Sequence, residues 1–124
     1  PQLGIECPTI VRDYPLSQAA LAKPSAEDSQ CAARFELFVS GVELANGYDE
    51  LRDPDVLLQR FRVCNDRRQK TGRRLLPVEM PLLEAMRAGL PQCAGVALGV
   101  DRLLSVQTGE TAISSVMPFT ILTT

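Results

Sequence analysis

The sequence contains no histidine, and aromatic residues make up only 5% of it. Any chemistry it supports therefore runs without an imidazole, and its core is expected to rest on leucine and valine rather than on large rings. None of its four cysteines, Cys7, Cys31, Cys64 and Cys93, stands in a C-x-x-C pair. That spacing argues against a zinc site or a disulfide frame and favours reduced cytoplasmic thiols. No apolar run approaches the roughly 20 residues that cross a bilayer, and no secretory pattern opens the chain. A soluble, cytoplasmic protein with no membrane partner is the expectation. Positive charge is not in excess either. A net charge of -2 and a pI near 5.1 argue against general nucleic-acid binding, which usually leaves a strongly basic balance. The chain opens Pro1-Gln2-Leu3-Gly4, without methionine, so a longer parent is expected.

What is present is an ordinary globular composition, 45% apolar and 23% charged over 124 residues, the size of one domain. Nine prolines and eight glycines favour several short elements over a few long ones. The charge is uneven. Arg60, Arg62, Arg67, Arg68, Lys70, Arg73 and Arg74 crowd one stretch, opposed only by Asp66. This stretch reads either as a solvated helix face or as a surface that steers an acidic protein or a tRNA backbone.

Thr9 to Tyr14 reads as a strand stopped by Pro15, and Leu16 to Ala26 as a loop or short helix. Phe35 to Val39 and Val42 to Ala45 form an expected hairpin turning at Ser40-Gly41. Asp53-Pro54 is a helix start, because the aspartate accepts from orphan N–H groups and proline lacks the donor that the first turn would waste. Leu57, Phe61 and Cys64 should share that helix's buried face, with Gly72 ending it. A second helix after Pro77 should bury Leu82, Leu83, Met86 and Leu90 and close at Gly89. Cys93 to Val100 is strand-like, Asp101 to Thr108 helical, and Thr111 to Met117 a last helical piece. The order predicts an α+β domain, an antiparallel sheet flanked by helices.

Two stretches carry the chemistry. In Phe35 to Leu51, Glu43 stands among Val42, Leu44 and Ala45, where a carboxylate is costly unless cations or donors meet it. Glu43 and Glu50 flank Asn46-Gly47. Seven positions apart, they face one site only if the strand bends between them, a bend Asn46-Gly47 could supply; alternatively Asn46-Gly47 is a hairpin turn and both acids are surface residues. In Gly95 to Arg102, one face carries only Gly95, Ala97 and Gly99, and Arg102 opens the following helix. That bare face is either a close packing contact or a floor for a flat ligand.

Together, the run from Glu43 to Glu50 (ELANGYDE) and the run from Gly95 to Arg102 (GVALGVDR) resemble the C-terminal half of the class II lysyl-tRNA synthetase catalytic domain, the second being its motif 3. The closer likeness is to the elongation factor P β-lysine ligases, paralogues that lysylate a protein instead of tRNA. The run from Asp13 to Ala22, and Ala97 where the tRNA-charging enzymes usually carry glycine, point that way. The resemblance spans about Pro8 to Phe119.

The resemblance implies an ATP- and Mg2+-dependent ligase that forms a lysyl or β-lysyl adenylate. In it Glu43 binds magnesium on the ATP phosphates with Leu44 beside the nucleotide, and Glu50 meets the substrate amine and also serves the metal. Asn46 and Tyr48 line the amino-acid pocket, and Ala97 shapes its backbone end. Gly99 is the floor under adenosine, and Arg102 stacks over adenine and reaches the γ-phosphate; Arg102 and Glu43 are the catalytic pair. Such chemistry needs in-line placement and cations rather than a protein nucleophile, so the missing histidine is no obstacle.

By the same resemblance, residues 1–124 are the C-terminal part of the catalytic domain. Motif 3 is present, while motif 1, which builds a homodimer interface, and motif 2, which supplies an arginine for the α-phosphate, lie upstream. The chain alone is then expected to be inactive, with open sheet edges prone to association. The acceptor is elongation factor P or, alternatively, tRNA. A different class stays open as well, a catalytically inert binding module with the synthetase fold.

Overall fold

A computed structural model describes residues 2–120. Its centre is an antiparallel sheet of four strands in chain order: β1 (Thr9–Pro15), β2 (Cys31–Val39), β3 (Val42–Asp49) and β4 (Ala94–Leu98). Between β3 and β4 the chain forms two helices, α1 (Pro54–Lys70) and α2 (Met80–Gly89), and α3 (Val100–Thr108) follows β4. Short 3-10 turns lie at Leu16–Gln18 and Ile113–Ser115. The architecture is the expected α+β one, with the hairpin turning at Ser40-Gly41, both at positive φ.

The start of α1 follows from its sequence. Asp53 Oδ1 accepts from the backbone N–H groups of Asp55 and Val56 at 2.9 and 3.1 Å, with Pro54 in the first turn. Its end follows too, since Gly72 adopts a φ of +66° just past the Thr71 cap. Against Leu57 pack Leu51, Leu83 and Met86, with Leu58, Phe61 and Val78 around them, so α1 and α2 share one small core.

Several expectations needed correction. Cys64 is exposed, as are Leu82 and Leu90, so each helix buries a narrower stripe than its apolar residues allow. The buried apolar residues are alanine, leucine, phenylalanine and methionine; valine is absent from them among the described residues. Strand β4 stops at Leu98, and Val100 opens α3 instead of closing the strand.

The largest difference is at Asn46-Gly47, which lies in regular ladder inside β3, opposite Glu36 and Phe35, rather than in a turn. Gly47 is there for space, since a Cβ on it would stand 2.3 Å from the Phe35 ring. The bend comes two residues earlier. Leu37 pairs with Ala45 and Phe38 with Glu43, which leaves Leu44 as an extra residue, a β-bulge in β3.

Candidate functional site

Residues directly opposite in a ladder, and those two apart along a strand, share a face. On one face β2 presents Arg34, Glu36 and Phe38 to Tyr48, Asn46 and Glu43 of β3. Across β3, Asn46 faces Ala97 and Tyr48 faces Gly95. Because the bulge at Leu44 shifts the period by one, Glu43 joins Asn46 and Tyr48 despite their odd spacing. Glu50 continues the same series, and its Oε1 lies 2.9 Å from where a Gly95 Cβ would stand. The structure thus brings the predicted Glu43, Asn46, Tyr48, Glu50 and Ala97 onto one surface.

At one end of this surface stands Arg102 of α3. Its Nη1 donates to the Glu43 backbone oxygen at 2.9 Å and lies 3.9 Å from Glu43 Oε2. The stem of Arg102 lies against Gly99, with Cδ 3.3 Å from the position of a Gly99 Cβ. Gly99 N–H donates to the Leu44 oxygen at 2.9 Å, which carries the ladder past β4 and fixes where α3 begins. The Leu44 side chain is buried, so what this residue offers the face is backbone.

At the other end Glu50 carries a half-buried carboxylate with no hydrogen bond or ion pair among the described residues. Its neighbours are matched: Lys23 Nζ lies 2.5 Å from Asp49, and Arg34 holds Glu36. At a strand rise of about 3.3 Å per residue, Glu43 and Glu50 stand about 20 Å apart.

Between the ends lies a network that sequence reasoning missed. Glu36 is 8% exposed and receives Arg34 Nη2, Asn46 Nδ2 at 3.3 Å and the Tyr14 hydroxyl at 2.6 Å. Burial, then the bond to Glu36, then the Glu36 charge push the Tyr14 hydroxyl up to about 12; Arg34 opposes this and Glu43 adds to it. The signal was in the sequence, because Glu36 in Phe35-Glu36-Leu37-Phe38 is as costly in an apolar strand as Glu43.

A surface hollow lined by Ile10, Arg12, Asp13, Ala33, Arg34 and Phe35 carries none of the predicted site residues. In the basic stretch, Arg60 donates to the Ala20 and Ala22 oxygens, both at 2.8 Å, and Arg68 Nε donates to the Arg74 oxygen at 2.7 Å. Those two cations serve the fold; burial lowers the Arg60 pKa. The four cysteines are free, and no helix among the described residues is long and apolar enough to cross a membrane.

Four antiparallel strands flanked by three helices, with a carboxylate–arginine pair and an uncompensated carboxylate on one sheet face, make an α+β domain. Its family is settled by comparison: residues 4–123 match the tRNA synthetases class II (D, K and N), and the chain belongs to that family. It is similar to the elongation factor P–(R)-β-lysine ligases of Salmonella paratyphi B, Salmonella heidelberg and Salmonella enteritidis PT4. Each is 46% identical over 121 residues, which is 98% of this chain and 37% of the relative. The chain therefore spans little more than a third of the length of these relatives.

Proposed function

We propose that the chain is the C-terminal part of the catalytic domain of an ATP-dependent ligase that activates lysine or β-lysine and transfers it to elongation factor P. The observation that carries this reading is the polarity of one sheet face, with Glu43 and Arg102 at one end and an unpaired Glu50 about 20 Å away. An extended amino acid joined to a nucleotide needs such a surface, with a cationic amine at one end and phosphates at the other. The similarity to the β-lysine ligases supports the choice of substrate and acceptor.

In this reading Glu50 takes the substrate amine, since a lone carboxylate beside matched ion pairs is the group that a cation stabilises most. Asn46 and Tyr48 border the amino acid across from Gly95 and Ala97, whose small size lets it lie close to the sheet. The Ala97 methyl, opposite Asn46, tunes selection at the backbone end by about 1–3 kcal/mol. Arg102 swings from Glu43 to stack over adenine above Gly99 and meet the γ-phosphate. The substrate carboxylate attacks the α-phosphorus, pyrophosphate leaves, and an acceptor amine then displaces AMP from the acyl group.

Hard carboxylate oxygens fit magnesium, which takes one or two of them beside substrate phosphates and neutralises phosphate charge when bound. Glu43 would hold it. Glu50, on the same face, is the second acid that the resemblance names for it. The full-length protein is read as a cytoplasmic homodimer. The test is to incubate it with ATP, (R)-β-lysine and elongation factor P and weigh the acceptor. A gain of one lysyl group supports the reading. Charging of tRNA with an unmodified factor moves the protein to the tRNA branch, and neither product leaves an inert binding module.

A further inference from the structure

Resting on that reading, we infer that Arg34, outside the predicted site, is the positioning residue that sets Asn46 and Tyr48 for the amino acid. Every side of its guanidinium is engaged. Nε donates to Asn46 Oδ1 at 3.3 Å, Nη1 to the Gln18 oxygen at 2.6 Å, and Nη2 to Glu36. The guanidinium carbon lies 4.5 Å from the Tyr14 ring centroid and 5.9 Å from that of Tyr48. Arg34 thus touches the two residues of β3 that border the substrate pocket, and ties them to the turn after β1.

The Asn46 amide shows what this does. Its oxygen accepts from Arg34 and its nitrogen donates to Glu36 at 3.3 Å, so the amide cannot flip without breaking both bonds. One lone pair and one N–H remain, in known directions, for a ligand. A largely buried ion pair gains little net stability over apolar packing, so the Arg34–Glu36 pair is poorly explained as a fold stabiliser. As a device that fixes an amide and a ring, it has a physical purpose. Only arginine supplies the fork and the flat face together.

The test is Arg34→Lys in the full-length protein, which keeps the charge and loses fork and plane. The readout is amino-acid-dependent ATP–pyrophosphate exchange. The expected result is an amino-acid KM raised about tenfold or more, with the ATP KM within about twofold. In an Asn46→Ala background the same change should add less than about threefold, because its effect runs partly through Asn46. An unchanged amino-acid KM, both KM values rising together, or fully multiplicative effects would overturn the inference. A parent that exchanges with neither lysine nor (R)-β-lysine overturns the ligase reading and this inference with it; a normal parent with an indifferent variant overturns this inference alone. Should Arg34→Lys fail to fold, NMR of the parent decides. A slowly exchanging Asn46 side-chain amide without amino acid supports the inference, and a freely exchanging one overturns it.

Discussion

The middle of the sheet and its β4 edge share one ladder but are built on different terms. In the middle, Tyr14, Arg34, Glu36 and Asn46 satisfy one another, and the carboxylate of Glu36 is almost sealed from solvent. Along β4 every residue is exposed, and Val96 and Leu98, on the face away from the site, are 62% and 50% accessible. The middle fixes directions, because buried polar groups hold one arrangement or lose their partners. The β4 side offers bare backbone and one long cation, Arg102, whose position follows from where α3 starts. In the proposed reading, the fixed half sets Asn46 and Tyr48 for the amino acid, β4 gives it a floor of small residues, and Arg102 meets the nucleotide.

Substitutions in the full-length protein break this comparison at different levels. The largest effect is expected at the Arg102 end, where Glu43→Ala or Arg102→Ala should cut pyrophosphate exchange by about 10²–10³. Next comes Glu50→Gln, which removes a charge-assisted contact of about 1.5–3 kcal/mol and should raise the amino-acid KM about ten- to a hundredfold at an unchanged ATP KM. Two glycines separate packing from binding. A Gly47→Ala methyl collides with the Phe35 ring and should cost about 1–3 kcal/mol in denaturant unfolding. A methyl at Gly95 meets only the flexible Glu50 carboxylate, so Gly95→Ala should leave stability unchanged while weakening the amino acid.

The smallest effect concerns pH. Tyr14 has a folded pKa of about 12 against an ordinary value of 10.0, so its contribution is fully present below pH 10 and fades as pH rises towards about 12. The stability difference between the parent and Tyr14→Phe should stay constant to pH 10 and shrink above it. A difference that grows there would reverse the sign assigned to the bond with Glu36.

Local rules made most elements legible. Asp53-Pro54 starts α1, Gly72 ends it, and Ser40-Gly41 turns the hairpin. What local rules could not show is pairing. Asn46-Gly47 is a strong turn signal by composition, yet the Phe35 ring from the neighbouring strand claims the space above Gly47 and keeps it in the ladder. The bulge at Leu44 has no mark of its own in the sequence, although it brings Glu43 onto the face of Asn46 and Tyr48. Glu43 stood out because an acid in an apolar strand is costly. Glu36 carried the same mark, while Arg34 stood out only once its partners on β1, the turn after β1 and β3 were placed.

The most direct test is ATP–pyrophosphate exchange by the full-length protein with lysine and with (R)-β-lysine, beside Glu43→Ala and Arg102→Ala. Robust exchange, stronger with β-lysine, is expected, and both substitutions should cut it by about 10²–10³. A folded parent that exchanges with neither amino acid would contradict the ligase reading and leave a synthetase-fold binding module in its place.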